Sequence, residues 1–102
     1  GRLAEDGEIN WSAPAHEVCN LIRAVTRPYP GAFTDLEGGQ RLLIWWAEAD
    51  GAHNLAPGEM LLEGDVLHVG TGTSSLRCVD FNLQGVPAGK TVAALPPVKN
   101  SQ

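Results

Sequence analysis

The sequence has little cysteine, few aromatic residues and a shortage of positive charge. Its two cysteines, Cys19 and Cys78, are too few for a disulfide scaffold. No CxxC pair or Cys/His cluster suggests zinc, so no metal is expected. The longest apolar stretch, Leu42 to Ala47, falls far short of the ~20 residues that span a bilayer. The N-terminus is polar and has no signal-peptide core. A membrane partner is therefore not expected, and a reducing cytoplasm is the expected location. Seven Lys and Arg stand against twelve Asp and Glu, a formal net charge of −5. Affinity for phosphates comes mostly from Lys and Arg, so this balance argues against a free-standing nucleic-acid binder. Absent too are a paired set of carboxylates for acid/base work and a P-loop lysine. Gly70-Thr71-Gly72-Thr73 has the glycine spacing of a phosphate loop, but without that lysine a β-hairpin turn is the better reading.

What remains is 102 residues, 43% hydrophobic and 19% charged, ordinary for a soluble domain with a modest core. The chain opens on Gly1 and not Met, as expected of a tag remnant or a piece of something longer. Residues 1–11 read as an exposed, charged lead-in. Ser12 is expected to cap a helix over residues 12–27, with Pro14 tolerated in its first turn. Val18, Leu21, Ile22 and Val25 form its apolar face at i, i+3, i+4, i+7. Pro28 and Pro30 stop it.

Strand patterns follow at Ala32–Leu36, Arg41–Glu48, Met60–Leu62, Val66–Val69 and Leu76–Leu83, with Lys90–Leu95 a further short candidate. Gly70–Ser75 reads as a flexible turn. The fold class is mainly β with one N-terminal α-helix. A small OB-like open antiparallel barrel over 32–95 is the expected architecture, and a half-open sheet with the helix packed across it is the alternative. Residues 96–102 are expected to fray.

The stretch Glu5-Asp6-Gly7-Glu8-Ile9-Asn10-Trp11-Ser12-Ala13-Pro14-Ala15, followed by Asn20-Leu21-Ile22-Arg23-Ala24-Val25 and Pro28-Tyr29-Pro30-Gly31-Ala32-Phe33-Thr34, resembles the C-terminal domain of the formyltransferase family. Leu43-Ile44-Trp45, Ala56-Pro57-Gly58-Glu59, Val69-Gly70-Thr71-Gly72 and Gly89-Lys90 extend the likeness. The resemblance implies an OB-like domain behind a helix, carried after a catalytic domain. The family's catalytic Asn, His-x-Ser-Leu-Leu-Pro histidine and Asp have no counterpart here, and His16, His53 and His68 lie in other contexts. No catalytic residue is therefore assigned. The implied role is that of an accessory domain that helps to hold the formyl acceptor and packs on the catalytic domain. The domain itself is expected to bind no cofactor. 10-Formyltetrahydrofolate is implied for the catalytic domain of the parent.

Asn20 and Arg23 match the family and, with Arg27 and Tyr29, are the candidate acceptor-binding residues. Each also has a structural reading: Arg23 near the helix C-terminus suits the dipole, and Pro28-Tyr29-Pro30-Gly31 suits a rigid turn. Trp45 and Trp46 are adjacent, so on a regular strand they face opposite ways. One is expected in the core and the other at an interface, with the missing catalytic domain or in a homodimer. The acidic balance leans the acceptor toward a nucleotide-sugar rather than a tRNA. A stand-alone interaction module derived from such a domain is the rival reading. Cys19 and Cys78 read as small buried hydrophobes, and His68 as a surface or satisfied strand residue.

Overall fold

A computed structural model describes residues 4–86 and 94–99. One helix, α1 (Ala15–Val25), is followed by five strands: β1 (Ala32–Asp35), β2 (Arg41–Ala49), β3 (Met60–Glu63), β4 (Val66–Val69) and β5 (Leu76–Gln84). They form a single antiparallel sheet in the order β1-β2-β5-β4-β3. The sheet is open, with β1 and β3 at its edges, and α1 packs chiefly across β2. The candidate strand at Lys90–Leu95 falls largely outside the described residues.

The strand runs chosen from alternation and turn residues match the observed ones to within a residue or so at each end. The helix is shorter than 12–27. Pro14 is still extended (φ −60°, ψ 151°) and Thr26 has already left the helix (ψ 173°). Residues that precede Pro are pushed out of the α region, and Pro28 lies just beyond. Ser12 is not the cap. Its own N–H donates to Asn10 Oδ1, while the free N–H of Ala15 donates to Thr73 Oγ1 at 2.9 Å, from 58 residues away.

The buried face of α1 is Ala15, Val18, Cys19, Ile22 and Val25. Leu21 lies half-buried on its flank, and Cys19 takes the place expected for it. These side chains meet Leu42, Ile44 and Ala47 of β2, Leu67 and Val69 of β4, and Leu76 and Cys78 of β5 in one apolar cluster. Burial pushes the Cys78 thiol up to about 12 and raises that of Cys19, whose nearest opposing influence is Arg23. Thiolates are the reactive form, so both cysteines behave as small hydrophobes. In native protein at pH 8, neither is expected to react with a disulfide reagent over an hour. Two thiols per chain should titrate after denaturation, and prompt labelling of the folded chain would contradict the burial.

The described parts of the lead-in and the tail pair with the sheet edge and are not simply an exposed lead-in and a frayed end. Ala4–Gly7 makes a 3₁₀ turn, Glu8 bridges Phe33 in parallel, and Ile9 and Trp11 are buried. Trp11 Nε1 donates to Thr34 Oγ1 at 3.1 Å, satisfying the polar end of a buried indole. At the other end Val98 bridges Leu36, Glu37 N–H donates to Pro97 O, and Lys99 N–H donates to Asp35 O. The physical reason is the open edge of β1, whose unpaired backbone groups need partners. Arg41 closes this region with a bidentate pair to Asp35 (2.7 and 3.1 Å), its guanidinium 4.0 Å from the centroid of the Phe33 ring. The Arg41 hydrogen bonds hold the Asp35 carboxyl below its ordinary range.

Gly70–Ser75 is a clamp, not a flexible turn. Thr71 Oγ1 donates to Ser74 O and accepts from the N–H groups of Thr73 and Ser74. Gly70 lies against the Ala56 carbonyl, where an added Cβ would come within 2.1 Å of the oxygen. A Cβ added at Gly72 would come as close, 2.2 Å, to the Ser12 carbonyl oxygen, and the Gly72 N–H donates to Ala13 O. The two glycines thus let one short segment hold both the start of α1 and the loop before β3.

Candidate functional site

The helix exit and the strand beneath it form the most elaborated polar surface among the sequence candidates. Thr26 Oγ1 donates to the Trp45 carbonyl at 2.8 Å, fixing the end of α1 to β2. The chain then turns through Arg27–Pro30, with Tyr29 N–H donating to Thr26 O and Gly31 N–H reaching back to Val25 O. Gly31 has φ +99°, and a Cβ there would sit 2.7 Å from the Trp45 ring. Only glycine meets both demands at low cost.

Trp45 is therefore half-buried over the turn. Its Nε1 donates to Asn82 Oδ1 at 2.8 Å, and the Arg27 guanidinium lies 4.3 Å from its ring centroid. Arg27 also pairs with Asp80 at 3.1 Å. Both partners of that pair are exposed, so solvent screens it and it contributes little stability. Stacking of a guanidinium on indole adds orientation more than energy at such a site. Trp46 is 43% exposed and opposite Asp80 in register. Neither indole enters the main core, contrary to the expectation for one of them. Irregular register on either side of Trp46 breaks the in-out alternation on which that expectation rested.

The four candidate acceptor residues form two groups. Arg23 Nη2 donates to Asn20 Oδ1 one helical turn back, on the exposed side of α1. Arg27 sits with Trp45, Asp80 and Asn82, and Tyr29 stands 48% exposed on the adjoining turn. A second concavity, about 720 Å³, lies between the lead-in and the tail, with Asn10, Trp11, Pro57, Gly58, Pro97 and Val98 among its walls.

A model of the formyl transferase C-terminal domain matches residues 3–93. The chain belongs to that family. Among solved structures, a multiply substituted variant of HypX from Aquifex aeolicus superposes with a TM-score of 0.63 at 18% identity, over 79% of this chain. At that identity the likeness is one of fold. The matched region is 14% of the HypX chain, so this formyl transferase C-terminal domain corresponds to a small part of that protein. Among its described residues no helix is long and apolar enough to cross a membrane.

One grouping escaped the reading of motifs. His53, Glu63 and His68 come together, although each looked isolated in the sequence. His68 is neither at the surface nor satisfied: it is 6% exposed and its Nδ1 is buried without a partner. The signal available in the sequence was the β3–β4 hairpin. With Glu63 opposite Val66, His68 becomes the diagonal neighbour of Glu63 on the same face. The contribution of His53 depends on the loop before β3, which local pattern does not specify.

Proposed function

We propose that this chain is a non-catalytic accessory domain of a 10-formyltetrahydrofolate-dependent formyltransferase, packing on the catalytic domain and helping to position the amine that receives the formyl group. The observation that carries it is the family match across residues 3–93. We assign this role to the helix-exit surface. Trp46 is a large exposed aromatic beside a charged cluster, the kind of side chain that anchors protein interfaces. Arg27, which pairs with Asp80 opposite Trp46, and Tyr29 on the adjoining turn are assigned to the acceptor, with Arg23 held by Asn20 as a secondary contact. Formyl transfer needs a base for the amine and donors for the tetrahedral oxyanion. Both are assigned to the catalytic domain, along with the folate. The net charge of −5 disfavours a tRNA backbone, which favours a small acceptor such as a nucleotide-sugar. Two free buried thiols suit a reducing compartment, the cytoplasm.

The test combines activity and association. The purified chain should give no formyl transfer from 10-formyltetrahydrofolate to any amine acceptor offered. A separately produced catalytic domain of a formyltransferase that carries this module should bind it. Trp46→Ala should weaken that binding by about 30-fold, the effect of losing a ~2 kcal/mol interface anchor. Turnover by the chain alone, or binding indifferent to Trp46→Ala, would overturn the proposal. A second reading, a homodimer of a stand-alone module, is favoured by the joint exposure of Tyr29, Trp46 and Val79. It predicts concentration-dependent sedimentation that Trp46→Ala abolishes.

A further inference from the structure

We infer that His53, Glu63 and His68 form a binding site for a divalent transition-metal ion, with zinc the best-fitting occupant. The three residues come from separate elements. His53 lies in the loop between β2 and β3, Glu63 ends β3, and His68 lies within β4. His53 Nε2 is 3.4 Å from Glu63 Oε1, and His68 Nε2 is 3.2 Å from the same oxygen. One ligand atom from each of the three lies within 4.8 Å of the other two. A tetrahedral ion with bonds of about 2.0–2.2 Å places adjacent ligand atoms about 3.3–3.5 Å apart. The His53 edge matches that spacing and the His68 edge is slightly shorter, while both are long for charge-assisted hydrogen bonds, which run about 2.7–2.9 Å.

The environment of His68 is the second observation. The side chain of His68 is 8% exposed, and its Nε2 shares a single carboxylate oxygen with the Nε2 of a second imidazole. The two rings are 4.3 Å apart between centroids at 63°, converging edge-to-face on that oxygen. An ion between the two Nε2 atoms and Oε1 accounts for this convergence. The frame is also set in advance. His53 N–H donates to the buried Ser75 Oγ, and Glu63 and His68 are fixed by hairpin register.

The chemical class of the ion follows from the donors. Two imidazoles and one carboxylate suit zinc and its neighbours rather than calcium or magnesium, which want oxygen. Three protein ligands leave a coordination position open. Glu63 is 55% exposed and His53 30%, so solvent reaches that side. Arg77 lies opposite His68 in register and adds a positive charge nearby, which lowers affinity without removing a ligand. Bound there, the ion ties the 50–59 loop to the β3–β4 hairpin.

The test uses zinc and cobalt salts with the purified chain. Zn²⁺ should bind one per chain in calorimetry and raise the melting temperature. Co²⁺ should give the intense visible bands of tetrahedral coordination, without the near-ultraviolet charge-transfer band of a thiolate. His53→Ala and Glu63→Gln alter partly exposed side chains and should fold, as circular dichroism would verify. Each should weaken zinc binding by more than about tenfold and abolish both the cobalt bands and the thermal shift. His16→Ala, on the exposed side of α1, should leave all three readouts unchanged. Weak pink octahedral cobalt with the native chain, or zinc binding that survives both His53→Ala and Glu63→Gln, would overturn the site.

Discussion

Gly70→Ala is expected to cost this domain a large share of its stability. The added methyl would lie 2.1 Å from Ala56 O and 2.6 Å from Leu55 O, both backbone atoms that no rotamer change can move aside. The loop before β3 would have to retreat by about an ångström. It would then lose two backbone hydrogen bonds, Gly58 N–H to Gly70 O and Gly70 N–H to Glu59 O, each 2.9 Å. Each buried bond left unmade costs about 1–3 kcal/mol. A total on the order of 3–5 kcal/mol is a large share of the ~5–15 kcal/mol that holds a domain of this kind folded. For a chain of this length that corresponds to a fall in Tm of roughly 15 °C or more. A thermal melt checks it, and a variant melting within about 3 °C of the parent would refute the close-approach argument.

The second large effect is Ile22→Ala. Ile22 is fully buried (0% exposed) at the centre of the α1 face, in the same cluster as Leu42 and Ile44. Removing three carbons there leaves a cavity that the sheet cannot collapse to fill, at a cost of about 2–5 kcal/mol. Leu21→Ala is the informative control. Periodicity placed Leu21 and Ile22 together on the apolar face, but Leu21 is only half-buried. Its truncation should cost under half as much in a urea titration, with m unchanged in both variants. Equal losses would mean that the helix is rotated about its axis from the orientation described.

These cases show what could be read from local pattern. Alternation and turn residues located β1 to β5 because each strand has one face on the core, and a one-residue slip would invert it. The apolar stripe located α1 for the same reason. Other features escaped because they depend on partners far away in the chain. Thr73 caps a helix 58 residues earlier, and no local signal could favour it over Ser12. The Gly70 and Gly72 approaches involve carbonyls of residues 56 and 12. Trp45 and Trp46 were misread because irregular register interrupts the two-residue period on which the argument depended. In the helix-exit surface, the residue types were legible and their pairing was not. Nothing in the sequence shows that Arg27 leans on Trp45 and Asp80, which come from two different strands.

The two ends of the described chain meet on one strand. Ile9 N–H donates to Phe33 O, and Lys99 N–H donates to Asp35 O, both along the outer edge of β1. A pull applied between residues 9 and 99 therefore loads β1 first, before the β2–β5 pairing at the centre of the sheet. The clasp would act as a mechanical fuse. Tension from anything attached to either end would part a few edge hydrogen bonds, leaving the helix and the inner strands undisturbed.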